Sequence, residues 1–137
     1  MYTESLGKDL GIYSDPYQFV GALGKEMHRA IRLVVDVGMH TGKITKEQAI
    51  QYMMDNMPLD EPGTVAEIER YMARPAQALS YKIGSMKIQE LRRKYEQQLD
   101  SKFNLAAFHD AILGDGPMAL QTLEKKLEVW AISQNHQ

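Results

Sequence analysis

Residues 16–39, "PYQFVGALGKEMHRAIRLVVDVGM", read as one uninterrupted helix, and nothing else in the chain constrains the fold as strongly. "SDPY" opens it with Asp15 as N-cap and Pro16 at the first helical position, where a missing N–H costs nothing. Val20, Leu23, Met27, Ala30, Ile31, Val34 and Val35 recur at helical spacing as its apolar stripe. "HTGK" ends it, with Gly42 as the breaker. A helix of this length is a rod of about 36 Å. Its neighbours must pack along it, and strand-like alternation is absent from the rest of the sequence.

The remaining segments carry their own helix signals. "MYTESLGKDLG" resembles the last turns of a helix entered partway through. "TKEQ" is a capping box from Thr45 to Gln48 and opens a short helix through Met54. "MPLDEPG" reads as a loop, and Thr64 restarts a helix in which Val65, Ile68 and Met72 share a face until Pro75. A further helix is expected over 75–99, and a short one after Asn104 with Gly114 just past its end. The last begins at Pro117 and carries Leu120, Leu123, Leu127 and Trp130. Repeats, low-complexity tracts and linkers are absent, so the expectation is all-α, a single helical domain over 1–137 with six to seven helices.

Charge and composition exclude several partners. Sixteen Lys and Arg against eighteen Asp and Glu leave a net charge of −2, with no basic block to track a phosphate backbone. Nucleic acid is therefore a poor partner. No apolar stretch approaches ~18 residues, so no membrane span is expected. The first residues have neither the basic nor the apolar region of a signal peptide, and the compartment, cytoplasmic or periplasmic, stays open. Without cysteine, disulfides and cysteine–zinc sites are excluded.

Two stretches attract attention as chemistry. His28, Arg32, Asp36 and His40 step by four along the long helix and drift only about 40° per step. On a helical wheel Arg32, Asp36 and His40 lie opposite the apolar stripe, together with Lys25 and Arg29. They are either a solvated face with an Arg–Asp pair or one wall of a site. His40 stands at the helix C-terminus, where the dipole favours imidazolium, a cation suited to a developing oxyanion. In "RPAQALSYKIGSMKI", residues 74–88, Gln77, Tyr81, Gly84 and Ile88 share one face while Leu79, Ile83 and Met86 share the other. That pattern is expected of a buried helix. Gln77 and Tyr81 are then a satisfied core pair or a phenol and amide presented into a cleft, and Gly84, one turn on, costs helix stability unless something packs closely against it. His109, flanked by apolar residues, reads as a hydrogen-bonded core histidine. The four histidines, His28, His40, His109 and His136, lack ligand spacing, and there is no H-E-x-x-H, phosphate loop or nucleophile elbow.

"YTESLGKDLGIYSDPYQFVGALGKEMHRAIRLVVDVGMHTGKITKEQAIQYM", "RYMARPAQALSYKIGSMKIQELR" and "FNLAAFHDAILGDGPMALQTLE" closely resemble the bacterial "domain of unknown function 885" family. The resemblance covers essentially the whole chain, and the family is several times longer. It implies a predominantly helical protein similar to gluzincin-type zinc metallopeptidases. The family's metal motif, of the form H-E-x-x-P-G-H-x-x-Q, lies upstream of the matching region and is absent here. A following segment resembling E-G-W-A-L-Y-x-E supplies the third ligand. Tyr2 and Glu4 match its last letters, and Met1 falls where the family has Leu.

The resemblance therefore implies the C-terminal piece of such a hydrolase, whether an expressed fragment, a truncated frame or half of a split gene. It implies no cofactor and no metal ligand in this chain, zinc in the full-length protein, and a peptide as substrate there. The expected partner is the missing N-terminal catalytic portion, or a second copy by self-association. By the same resemblance Tyr81 is the first candidate for a catalytic oxyanion donor and His40 the second. Arg32 or Lys82 holds a substrate carboxylate, Gln77 orients the peptide or Tyr81, and Asp36 fixes Arg32 or His40. Alone, the chain is expected to be inactive. The alternative is a non-catalytic helical interaction module or subunit.

Overall fold

A computed structural model describes residues 2–8 and 10–135. Met1 and His136, both named in the sequence reading, lie outside the described residues. Among the described residues every regular element is helical: α1 (Tyr2–Ser5), α2 (Pro16–His40), α3 (Lys46–Asn56), α4 (Glu61–Ala73), a 3-10 turn (Gln77–Leu79), α5 (Ser80–Leu99), a second 3-10 turn (Asp100–Lys102), α6 (Leu105–Leu113) and α7 (Leu120–Asn135). The all-α expectation holds. The chain gathers into two compact units, residues 1–83 and 84–137.

Local chemistry sets most boundaries. Asp15 caps α2 by accepting the Tyr17 N–H, and Pro16 occupies its first turn. Thr45 and Gln48 form the reciprocal capping box of α3, and Asn104 caps α6 through the Ala107 N–H. Gly42, at φ +68°, takes the left-handed conformation that closes the α2 end.

Three expected boundaries shift. α4 starts at Glu61 rather than Thr64, because Pro62 fits the first helical turn instead of a loop. Its inward residues are Thr64, Ile68 and Tyr71, and Met72 is exposed. The segment 75–79 is not α-helical: Ala76 sits at φ +65° and Gln77–Leu79 form a 3-10 turn before α5. α7 begins at Leu120 rather than Pro117, which lies in the turn after Gly116 at φ +75°.

In the first unit the core joins Ile31 and Val35 of α2, Ala49 and Met53 of α3, Ile68 and Tyr71 of α4, and Ala78 of the 3-10 turn. Gly38 lets α2 meet the returning chain, since a Cβ there would stand 2.8 Å from the Ile44 side chain. In the second unit Leu91, Tyr95, Leu99, Phe108, Leu123, Leu127 and Ala131 form the core. Phe103, Phe108 and Trp130 meet there at ring distances of 5.7–6.4 Å. Partly buried His109 stacks beside Phe108.

The sequence reading of α2 needs its main correction here. Of the proposed apolar stripe only Ile31 and Val35 are buried, while Val20, Leu23, Met27 and Val34 are exposed. Arg32 and Asp36, expected on the opposite face, are buried. The helix is apolar on two sides, and the side bearing Arg32 and Asp36 is the one that finds partners on α4 and the 3-10 turn.

Candidate functional site

The polar stripe of α2 is a set of anchors rather than a solvated face. Asp36, 2% exposed, is the central one. Its Oδ1 accepts the Ala76 N–H at 3.1 Å and pairs with His40 Nδ1 at 3.0 Å. Ala76 is strained, since a left-handed alanine costs roughly 1–2 kcal/mol. The bond from Asp36 holds that strained turn against α2. Immediately beyond it the chain presents Gln77 and Tyr81.

His40 Nδ1 also donates to the Asp36 carbonyl at 2.8 Å. This backbone bond, the Asp36 carboxylate and a further bond to the Met72 carbonyl raise its pKa above the ordinary 6.5. His28 shifts the other way. Burial lowers it first, and the Arg32, Lys25 and Arg29 cations add to that, against the opposing pull of Glu67.

The two histidines therefore pull stability in opposite directions with pH. His40's folded pKa lies above its unfolded value, so its contribution is complete below about pH 6.5 and is lost as pH rises through the folded value. For His28 the contribution is present above 6.5 and lost as pH falls through its lower folded value. His40→Gln should remove the decline in unfolding free energy above pH 6.5, measured by urea unfolding across pH. An unchanged pH profile in that variant would contradict the latch role of His40.

On α4, Glu67 accepts from Arg70 Nη2 at 2.6 Å and from the Tyr71 hydroxyl at 2.5 Å, while His28 Nε2 lies 3.3 Å from that hydroxyl. Burial pushes Glu67 up, but the Arg70 and Tyr71 hydrogen bonds outweigh it and hold its carboxyl below the usual range. Burial, then the bond to Glu67, pushes the Tyr71 phenol well above its ordinary value. Sequence reasoning missed this trio. The available signal was Glu67 and Tyr71 at i,i+4 on the inward face of α4.

The expected site residues fall as follows. Tyr81 is 51% exposed and Gln77 is exposed too, so a buried Tyr–Gln core pair does not exist. Gly84 has open space around its Cβ position rather than a close neighbour. The Tyr81 ring lies under two guanidiniums, Arg29 at 5.6 Å and Arg32 at 5.7 Å. Arg32 also covers the Tyr71 ring at 5.2 Å. Lys82 bonds Glu26 at 2.6 Å, and Arg29 holds Glu4 through two hydrogen bonds. The structure thus brings Tyr81, Arg32 and Arg29 together. His40 belongs to the separate Asp36–Ala76 anchor. Among the described residues no three His, Asp or Glu side chains are grouped to hold a metal ion, and no helix is long and apolar enough to cross a membrane.

Residues 1–127 match the family described as "Bacterial protein of unknown function (DUF885)". A solved structure described as "The crystal structure of the putative lipoprotein from Colwellia psychrerythraea" is similar to this chain, with 44% sequence identity and a TM-score of 0.92 over 96% of it. The same match covers 23% of that protein's chain, so the chain here spans about a quarter of its neighbour's length. No curated protein matches.

Proposed function

Because this chain belongs to the DUF885 family, we propose that it is the cleft-lining part of a zinc-dependent, peptidase-like hydrolase, with Tyr81 as the hydrogen-bond donor to the reaction's oxyanion. The observation that carries the reading is the presentation of Tyr81. Its ring is fixed by two guanidiniums while about half of the residue stays open to solvent. A core phenol would be covered, and a solvated one would not be clamped. Preorganised donors of this kind are typically worth about 3–4 kcal/mol of barrier.

Arg32, which lies against the Tyr81 ring, is with Gln77 and Lys82 a substrate-binding side chain of this reading. His40 supports it from a distance, because the Asp36 it helps to hold is the anchor of the turn before Gln77. Among the described residues no group of side chains fits a zinc site. The metal is assigned to the longer protein.

Zinc analysis and peptide hydrolysis test this division of labour. The isolated 137-residue chain should retain no stoichiometric zinc after dialysis and hydrolyse no peptide, whereas the longer protein should do both. One tightly held zinc per isolated chain, which needs about three protein ligands, would contradict it.

The exposed side of α2 favours a second reading, a helical interaction module. Val20, Leu23, Met27, Val34 and Val37 are exposed at alternating three- and four-residue spacing, with Ala30 completing the row. That is the seam a partner helix packs against. In the hydrolase reading the seam is covered by the remainder of the longer protein. The isolated chain should then self-associate, and Leu23→Glu with Met27→Glu should make it monomeric in analytical ultracentrifugation. A monomeric parent chain that melts cooperatively above about 65 °C would instead show that this side needs no cover.

A further inference from the structure

Arg32 is 7% exposed, and a charge that deep in a protein is normally paired. Its neighbours are paired. Arg29 holds Glu4, Lys82 holds Glu26, Arg70 holds Glu67, and Asp36 is shared between His40 and the Ala76 N–H. Arg32 is left over. Among the described residues no carboxylate forms an ion pair with it, and its Nε–H is buried without an acceptor.

In place of a carboxylate, Arg32 has two aromatic faces. Its Cζ lies 5.2 Å from the Tyr71 ring centre and 5.7 Å from that of Tyr81. Stacking on rings fixes the plane of a guanidinium while leaving its in-plane N–H groups for a planar, bidentate acceptor. Asp36 stands one turn further along α2, and its Oδ2 is also buried without a partner. Its Oδ1 is committed to His40 and Ala76, and no ion pair joins it to Arg32. The guanidinium lies over the two rings, and among the described residues it has no ion pair.

We infer that Arg32 is a carboxylate-binding residue, placed against the Tyr81 ring to receive a carboxylate of a peptide. The two sources of that group are the peptide's C-terminus and an acidic side chain. Lys82, the other candidate for a substrate carboxylate, is occupied by Glu26 and lacks the planar fork. The inference rests on the reading of Tyr81's surroundings as a substrate wall.

The test is a titration of the 137-residue chain with three small peptides, followed by NMR of the tyrosine ring signals. The probes are acetyl-dialanine with its free carboxylate, the corresponding amide, and acetyl-aspartyl-alaninamide. The free acid should shift the Tyr71 and Tyr81 signals, and its amide should bind at least about tenfold more weakly, the loss expected for a charge-assisted bidentate pair. Binding of the aspartyl amide as tight as the acid's supports the site with an acidic side chain as its source. Failure of that probe beside a binding acid supports it with the C-terminus as its source. Arg32→Met should abolish the preference for acid over amide, and Arg32→Lys should keep only part of it. Should Arg32→Met fail to fold, the acid and amide comparison on the unaltered chain still decides. Equal binding of acid and amide, or no shift of either ring with any probe, overturns the inference. Either result stands apart from the assignment of Tyr81 as oxyanion donor, which falls instead if the longer protein hydrolyses peptides undiminished with Tyr81→Phe.

Discussion

Tyr81→Phe, placed in the longer hydrolase proposed above, should lower kcat about 100-fold or more and leave KM within about twofold. The hydroxyl it removes would bond an oxyanion that exists only in the transition state. Packing should survive, because phenylalanine keeps the ring that Arg29 and Arg32 cover, and Tyr81 is 51% exposed. A tyrosine that served only the fold would leave kcat unchanged, and the hydroxyl of this half-exposed residue would take little stability with it. His40→Gln is the companion variant. His40 is held by Asp36 and the Met72 carbonyl rather than by Tyr81, so its replacement should alter the pH dependence of stability more than kcat. A kcat loss equal to that of Tyr81→Phe would place His40 at the oxyanion too.

Asp36→Ala should destabilise the isolated chain by about 3 kcal/mol, since hydrogen bonds to a charged group contribute about 1.5–3 kcal/mol each. The variant loses the His40 pairing and leaves the Ala76 N–H without its acceptor in a turn that is already strained. Asp36→Asn keeps an oxygen for Ala76 and should lose about half as much. Urea unfolding of the three chains separates these expectations, and equal stability of Asp36→Ala and the parent would remove Asp36 as the anchor. In the longer protein Asp36→Ala should also slow turnover, because the turn that leads to Tyr81 is no longer tied to α2.

Signals that act within one turn of helix were legible in the sequence. Asp15 before Pro16, Thr45 with Gln48, and Asn104 all cap where their spacing predicts, because a cap depends on neighbours two or three residues away. The inward face of α2 was not legible. Apolar residues occupy two sides of that helix, and the choice is made by partners far along the chain. Ala76 meets Asp36 from 40 residues away, and Tyr71 meets His28 from 43. A wheel diagram sees neither. For the same reason Arg32 and Asp36 read as a possible surface pair when they are buried and turned to different partners.

The candidate site was legible in part. Gln77 and Tyr81 stand out in the sequence as polar groups on an apolar helix, Arg32 as part of the polar stripe of α2 and Lys82 only through the resemblance, and the structure places Tyr81 against Arg32. Their division into bonded and unbonded groups needed the fold. Nothing in the order of residues says that Glu26 takes Lys82 or that Glu4 takes Arg29. The Glu67–Tyr71–His28 trio went unseen because its members lie on two helices and only the α4 pair has readable spacing.

The most direct measurement of the central claim is the affinity of the longer protein for a tetrahedral phosphinic peptide, compared between the parent and Tyr81→Phe. If the Tyr81 hydroxyl serves the oxyanion, the variant should bind this mimic about 100-fold more weakly, by the same factor as its loss of kcat, while its affinity for the planar substrate stays put. Unchanged affinity for the tetrahedral mimic in Tyr81→Phe would contradict the claim and leave Tyr81 as a clamped surface tyrosine.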